Sequence, residues 1–129
     1  MSSAVFNSGL SVLVVEDDAS VRETLGMVLE AYHYRPVLVE SGQKALEYLA
    51  FQWPDVMLLD LTLKEMSGEQ VYRQIEGRFG RVPPTVVLSA VQHGEVRASH
   101  LHGAWFLAKP YTIEELVDVI QQASRSRAA

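Results

Sequence analysis

Short apolar runs alternate with amphipathic segments along the chain. The runs have the length of β-strands and lie near residues 11–15, 36–39, 56–60, 85–89 and 105–108. The segments that follow them place apolar residues three or four positions apart, which is the spacing of one face of an α-helix. This alternation predicts an α/β domain built from five βα units.

Four of the five predicted helices carry a clear apolar stripe, whereas the fourth helix, near residues 95–101, is short and weakly patterned. The stripes consist of Val21, Leu25, Val28 and Leu29; Ala45, Leu46 and Leu49; Val71 and Ile75; and Ile113, Leu116, Val117 and Ile120. Three helix starts have the residues of a capping box, which satisfies the free amide groups of a first helical turn. These pairs are Ser20 with Glu23, Ser67 with Gln70, and Thr112 with Glu115.

The apolar runs are continuous stretches rich in valine and leucine rather than alternating ones. Both faces of the sheet should therefore be covered, as in a parallel sheet between two layers of helices. In a doubly wound sheet with the strand order 2-1-3-4-5, ligands bind beyond the carboxyl ends of the strands, between strands one and three.

Four of the runs lead into reactive side chains. Glu16 and Asp17 follow the first strand, Asp60 ends the third, Ser89 ends the fourth and Lys109 follows the fifth. Neighbouring strands lie about 4.8 Å apart, so the three carboxylates are expected to crowd together at one edge of the sheet. A cluster of oxygen ligands of this kind favours a cation, and it suits magnesium best.

These residue types together suit phosphoryl transfer, with Asp60 as the nucleophile. Lys109 and the cation would neutralise the phosphoryl charge, and Ser89 would donate a hydrogen bond to a phosphoryl oxygen. Each residue alone has a structural alternative: Asp17 and the adjacent Asp18 can cap the helix that follows, Ser89 can cap the fourth helix, and Lys109 can be a solvated loop residue. Because all of them fall at the same edge of the sheet, a shared site is favoured.

Composition restricts the class of partner. The chain has 129 residues, no cysteine and a formal net charge of −5, and its basic residues are scattered. Direct binding to nucleic acid or to an anionic membrane is therefore not expected. No secretory signal and no apolar stretch of bilayer length are found, so a cytoplasmic location is expected.

One domain is predicted over residues 10–125, preceded by a loose terminus over residues 1–9 and followed by a tail over residues 126–129. Because the chain stops directly after the last helix, no output domain is expected within it. The last helix has few basic residues before Arg125, which favours a monomer or a weak dimer.

Four motifs resemble those of two-component response-regulator receiver domains, the CheY-like superfamily. They are Val14-Val15-Glu16-Asp17-Asp18, Leu58-Leu59-Asp60, Val87-Leu88-Ser89-Ala90 and Ala108-Lys109-Pro110-Tyr111. The resemblance extends from about Leu10 to Arg125. It implies a flavodoxin-like fold and transfer of a phosphoryl group to Asp60 from a histidine kinase or a phosphotransfer protein.

The resemblance also implies the role of each site residue. Magnesium would be held by Glu16, Asp17, Asp60 and the main-chain carbonyl of Thr62. Ser89 and Phe106 would form the switch, and Lys109 would precede a cis Pro110. Phosphorylation would then alter a partner-binding face made by the fourth helix, the fifth strand and the fifth helix. The chain would catalyse its own phosphorylation and dephosphorylation rather than act as an enzyme on a separate substrate.

Two features depart from the receiver pattern. Lys64 stands four residues after Asp60, where receivers commonly carry a proline, and the interval from Ser89 to Lys109 is shorter than usual. Three histidines fall in that interval, but residues two apart do not share a helix face, so a metal site is not expected there. These histidines are His93, His100 and His102.

Three other functions are compatible with parts of the pattern. A haloacid-dehalogenase-type phosphatase also uses an aspartyl nucleophile, but it has that residue on its first strand and a second aspartate where this chain has Thr62. A flavodoxin would bind a flavin phosphate, which the acidic residues would repel. A phosphorylation-independent interaction module would keep the fold without the chemistry.

Overall fold

Five parallel strands form one sheet in the computed structural model of the protein, which describes residues 9–90, 101 and 103–126. The strands are β1 (Ser11–Val15), β2 (Arg35–Val39), β3 (Val56–Asp60), β4 (Thr85–Ser89) and β5 (Trp105–Ala108). The helices in these ranges are α1 (Ala19–Ala31), α2 (Gly42–Leu49), α3 (Gly68–Phe79) and α4 (Ile113–Ser126). The strand order β2-β1-β3-β4-β5 and the parallel pairing confirm the prediction.

Helix α4 is the fifth helix of the sequence-based prediction. The predicted fourth helix lies outside the described residues except for Leu101. The three histidines of that region, the terminus before Gly9 and residues 127–129 also lie outside them. None of the described helices is both long and apolar enough to cross a lipid bilayer.

Two hydrophobic layers meet at the sheet. Successive side chains of a strand point to opposite faces, so Leu13 and Val15 enter the layer of α2 and α3, whereas Val12 and Val14 enter the layer of α1 and α4. Every position of β3 and β4 is buried. This burial on both faces explains why the strands are continuous apolar runs in the sequence.

Two of the three predicted capping boxes are confirmed. At the start of α3, the side chains and backbone amides of Ser67 and Gln70 exchange both hydrogen bonds. At the start of α4, the Thr112 N–H donates to Glu115 at 2.8 Å, and the Glu115 N–H donates to the Thr112 hydroxyl at 3.0 Å. These caps fix the points where the chain leaves the top of the sheet and turns back down as a helix.

The predicted box at Ser20 and Glu23 is wrong. Helix α1 begins at Ala19, and Asp18 caps it by accepting a hydrogen bond from the Val21 N–H at 3.0 Å. Asp18 comes two residues earlier in the chain, and its carboxylate suits the positive end of the helix dipole. Ser20 therefore lies inside the first turn, where its hydroxyl is not needed as a cap.

Two residues assigned to apolar stripes are exposed. Val21 is 36% exposed and Ile113 is 44% exposed, because both lie in the first turn of a helix that starts beyond the ends of the strands. Later positions of the same stripes, such as Leu25 and Leu116, are buried against the sheet.

Candidate functional site

The register of the sheet places four predicted site residues at its carboxyl edge. The pairing of β1 with β3 brings Glu16 level with Asp60. Ser89 lies one residue beyond the β4 partner of Asp60, and Lys109 directly follows the β5 partner of Ser89. The Lys109 N–H donates to the Ser89 carbonyl at 2.9 Å, which extends the ladder by one hydrogen bond and fixes the position of Lys109.

The buried carboxylate of Asp60 accepts two hydrogen bonds. Lys109 Nζ donates to Oδ2 at 3.1 Å, and the Thr62 N–H donates to Oδ1 at 2.7 Å. Burial alone would raise the pKa of Asp60, but the neighbouring Glu16 carboxyl, the Thr62 amide and the Lys109 ammonium outweigh it and lower that pKa. Asp60 is therefore ionised and oriented at neutral pH.

Lys109 keeps its positive charge in the site. Burial opposes ionisation of its amine, but the hydrogen bond with Asp60 and the charges of Asp60 and Glu16 raise the pKa of Lys109 above its ordinary value. The result is a fixed ion pair between a carboxylate and an ammonium group at the carboxyl edge of the sheet.

Glu16 is a second buried acid beside Asp60, with only 3% of its surface exposed. Its Oε1 accepts a hydrogen bond from the Asp18 N–H at 3.1 Å, whereas Oε2 is buried and has no donor. Burial, followed by the neighbouring Asp60, raises the pKa of Glu16 to about 8. Of the two neighbouring carboxyl groups, Asp60 therefore keeps the charge and Glu16 holds a proton near neutral pH.

Asp17 does not join these two acids. Its Oδ2 accepts a hydrogen bond from the Lys64 N–H at 2.9 Å. Within the described part of the chain, no three acidic or histidine side chains are grouped closely enough to hold an ion. The expectation that Glu16, Asp17 and Asp60 crowd together is therefore corrected: like charges repel, and the Lys64 amide offers Asp17 a hydrogen bond in another direction.

The donor set nevertheless fits a hard divalent cation. The three acids offer only oxygen ligands, and the buried Glu16 Oε2 is an oxygen that no hydrogen-bond donor satisfies. Magnesium takes oxygen ligands of this kind and keeps several of its waters, so it needs no closed cage of protein atoms.

The remaining predicted residues lie around this centre. Ser89 is buried at the end of β4, and Phe106 packs partly buried against the layer of α2 and α3. The Lys109–Pro110 peptide bond is cis, the geometry that the receiver resemblance implied. Thr62 is exposed, and its amide contacts Asp60; a metal-binding role for its carbonyl stays a prediction.

Two residues that support the site were missed from the sequence. Arg22, on α1, donates from Nη1 to the carbonyl oxygens of Glu16 and Asp17 at 2.9 and 3.4 Å, and no motif marks it. Gly68 starts α3 so close to β3 that an added Cβ would lie 2.6 Å from the Asp60 carbonyl oxygen. A glycine directly after a capping serine was the detectable clue to this close approach.

Comparison with known proteins identifies relatives over most of the chain. Residues 12–121 match the response regulator receiver domain family. The response regulator MprA of Mycobacterium tuberculosis (strain ATCC 25177 / H37Ra) is 35% identical over 108 residues, which are 82% of this chain and 46% of MprA. The phosphate regulon transcriptional regulatory protein PhoB of Escherichia coli (strain K12) is 34% identical over 117 residues, which are 88% of this chain and 51% of PhoB. The chain thus spans about half the length of these curated relatives.

Solved structures of similar fold agree with these matches. One is the receiver domain of the sensor histidine kinase PA1611 from Pseudomonas aeruginosa PAO1, with a magnesium ion coordinated in its active-site cleft. It has a TM-score of 0.80 and 28% identity, and the match covers 91% of this chain and 98% of that domain. Another is a CheY-like receiver domain from Methylobacillus flagellatus, with a TM-score of 0.77, 26% identity, and coverage of 90% and 99%.

Proposed function

Because the chain belongs to the response regulator receiver domain family of two-component signalling, we propose that it is a phosphorylation switch whose acceptor is Asp60. The observation that carries this proposal is the buried, ionised Asp60 carboxylate, which is held by Lys109 at 3.1 Å and by the Thr62 amide at 2.7 Å. The haloacid-dehalogenase and flavodoxin alternatives are set aside, since the family is different.

The proposed reaction is attack of an Asp60 carboxylate oxygen on the phosphorus of a phosphohistidine. The new O–P bond gives an acyl phosphate, the N–P bond breaks, and the histidine nitrogen leaves with the electron pair of that bond and takes up a proton. Lys109 would transfer its ionic contact from Asp60 to a phosphoryl oxygen, and its present contact with Asp60 at 3.1 Å supports this role. Ser89, at the end of the neighbouring strand, would donate a hydrogen bond to another.

Magnesium is the proposed cofactor, and the residues that would hold it are Glu16, Asp17, Asp60 and the Thr62 main-chain carbonyl. When bound, the ion would neutralise charge that develops on the phosphoryl oxygens. The chain's own residues would then have separate tasks: Asp60 would supply the nucleophile, Glu16 would release its proton to solvent, and Lys109 would compensate the remaining negative charge.

The proposed partners follow from this chemistry. A histidine kinase or phosphotransfer protein would supply the phosphoryl group, and a downstream protein would bind the face made by β5, α4 and the region before β5. The switch would be the movement of Ser89 and Phe106, and the chain would act on no separate substrate. We propose that it works in the cytoplasm, where such kinases present their phosphohistidine.

The test is phosphorylation by a small donor such as acetyl phosphate or phosphoramidate, followed by intact-mass analysis. We expect one added phosphoryl group on the wild type with magnesium, none with a chelator, and none on Asp60→Asn in either condition. A wild type that stays unmodified with magnesium, or an Asp60→Asn variant that is modified equally, would contradict the proposal.

A further inference from the structure

Lys64 contacts the site through its backbone. Its N–H donates to Asp17 Oδ2 at 2.9 Å, although the two residues are 47 positions apart in the chain. The acceptor is a carboxylate, so the bond belongs to the stronger, charge-assisted class. It joins the loop between β3 and α3 to the loop that follows β1.

This bond holds Asp17 apart from the other two acids. Asp17 lines a cavity of about 250 Å³ together with Glu40, Ser41, Glu65 and Met66, and neither Glu16 nor Asp60 lines it. In agreement, the described acids contain no group of three that is arranged to hold an ion. An ion shared by Glu16, Asp17 and Asp60 therefore requires Asp17 to leave the position in which Lys64 holds it.

We propose that the Lys64 N–H is a latch on Asp17 that competes with magnesium, an inference that rests on the proposed function. When magnesium binds, Asp17 would exchange its N–H···O bond for a metal–oxygen bond, so the latch weakens magnesium binding. The latch also couples the conformation of the loop before α3 to magnesium binding. Lys64 is in this sense a positioning residue, and its ammonium group has no part in the latch.

The backbone origin of the latch permits a matched pair of variants. Lys64→Pro removes both the ammonium group and the N–H, because proline has no amide hydrogen. Lys64→Ala removes the ammonium group and keeps the N–H. With the change of charge cancelled, the difference in magnesium affinity between these two variants reports the loss of the hydrogen bond together with the fixed φ of proline, and the hydrogen exchange of the unsubstituted Lys64 amide separates these two contributions.

We expect the magnesium dissociation constant of Lys64→Pro, measured by calorimetric titration, to be about tenfold lower than that of Lys64→Ala. The estimate follows from the net value of one hydrogen bond to a charged group. A merely structural role for the loop would change the unfolding midpoint of both metal-free variants but would leave their magnesium affinities equal.

A measurement on the wild type tests the latch without any substitution. We expect the Lys64 amide to exchange slowly with solvent hydrogen in a chelator and several-fold faster in saturating magnesium, as followed by NMR. Equal or weaker magnesium binding by Lys64→Pro relative to Lys64→Ala, or an exchange rate of the wild-type Lys64 amide that magnesium leaves unchanged, would overturn the latch. A wild type that binds no magnesium would instead contradict the proposed function, so the two failures are distinguishable.

Discussion

Glu16 carries a carboxyl group that is buried beside Asp60, and only one of its two oxygens accepts a hydrogen bond. Burying a carboxyl group without full hydrogen bonding opposes folding, and a second carboxylate in contact adds to this cost. Asp17, by contrast, is only half-buried and its Oδ2 accepts a hydrogen bond from the Lys64 amide. The strain of the acidic site therefore resides mainly in Glu16.

This location of the strain gives a prediction at the scale of one residue. In a chelator at neutral pH, Glu16→Gln should raise the free energy of unfolding by about 1 kcal/mol, because the amide removes the cost of protonating this buried carboxyl group on folding and can donate to Asp60. Denaturant titrations would measure the change, with Glu23→Gln, an exposed acid of α1, as a control that should change little. A clear loss of stability in Glu16→Gln would show that this carboxyl group stabilises the fold instead.

At the scale of one element, β5 links the acidic site to both faces of the sheet. Phe106 packs towards the layer of α2 and α3, whereas its neighbour Trp105 packs towards the layer of α1 and α4. Ser89 pairs with β5 at Ala108, and Lys109 follows directly. We therefore expect a rearrangement of Ser89 and Lys109 around a phosphoryl group to be transmitted along β5 to both aromatic rings.

Trp105 should report this rearrangement by its fluorescence. In Trp53→Phe, Trp105 is the only tryptophan, and we expect beryllofluoride with magnesium, a mimic of the aspartyl phosphate, to change its emission. The same additions to Trp53→Phe combined with Asp60→Asn should have no effect. An unchanged spectrum in the first variant, together with unchanged amide NMR shifts in β5, would rule out this route of coupling.

At the scale of the whole molecule, the central strand β3 serves both hydrophobic layers. Met57 and Leu59 pack into the layer of α2 and α3, and Leu58 packs into the opposite layer. Because the backbone of β3 is common to both layers, unfolding of one layer removes the strand against which the other layer packs. Unfolding should be cooperative across the sheet.

Leu58→Ala tests this cooperativity. Leu58 is fully buried, so we expect a loss of about 2–5 kcal/mol, a large share of the stability of a domain of this size. Trp53 contacts one layer and Trp105 the other, so variants that keep one tryptophan each report the two layers separately. Both single-tryptophan variants should have the same unfolding midpoint. The control is Met27→Ala, at a site 65% exposed, which should barely change the midpoint of the wild type. Separate transitions would contradict a single cooperative unit.

Local patterns of residue types were sufficient to predict the architecture and the edge at which the site lies. Continuous apolar runs occur when a strand is buried on both faces, so the covered parallel sheet could be predicted from local pattern alone. The capping boxes at Ser67 and Thr112 depend on side chains three residues apart, and they too were predicted correctly. The carboxyl-edge positions of Asp60, Ser89 and Lys109 followed from the strand ends and the sheet order.

The partners of the charged groups at this edge, by contrast, are visible only in the folded protein. Asp18, rather than Ser20, caps α1, because the helix begins two residues earlier than the predicted capping box would place it. Asp17 accepts a hydrogen bond from the Lys64 amide, 47 positions away in the chain. Gly68 lies close to the backbone of Asp60, and this contact joins the start of α3 to the end of β3. Such contacts form only when separate loops are correctly placed relative to each other in the folded chain. A pattern of residue types specifies which strand a side chain follows. It does not specify the partner of that side chain, which depends on its torsion angles and on the loops around it.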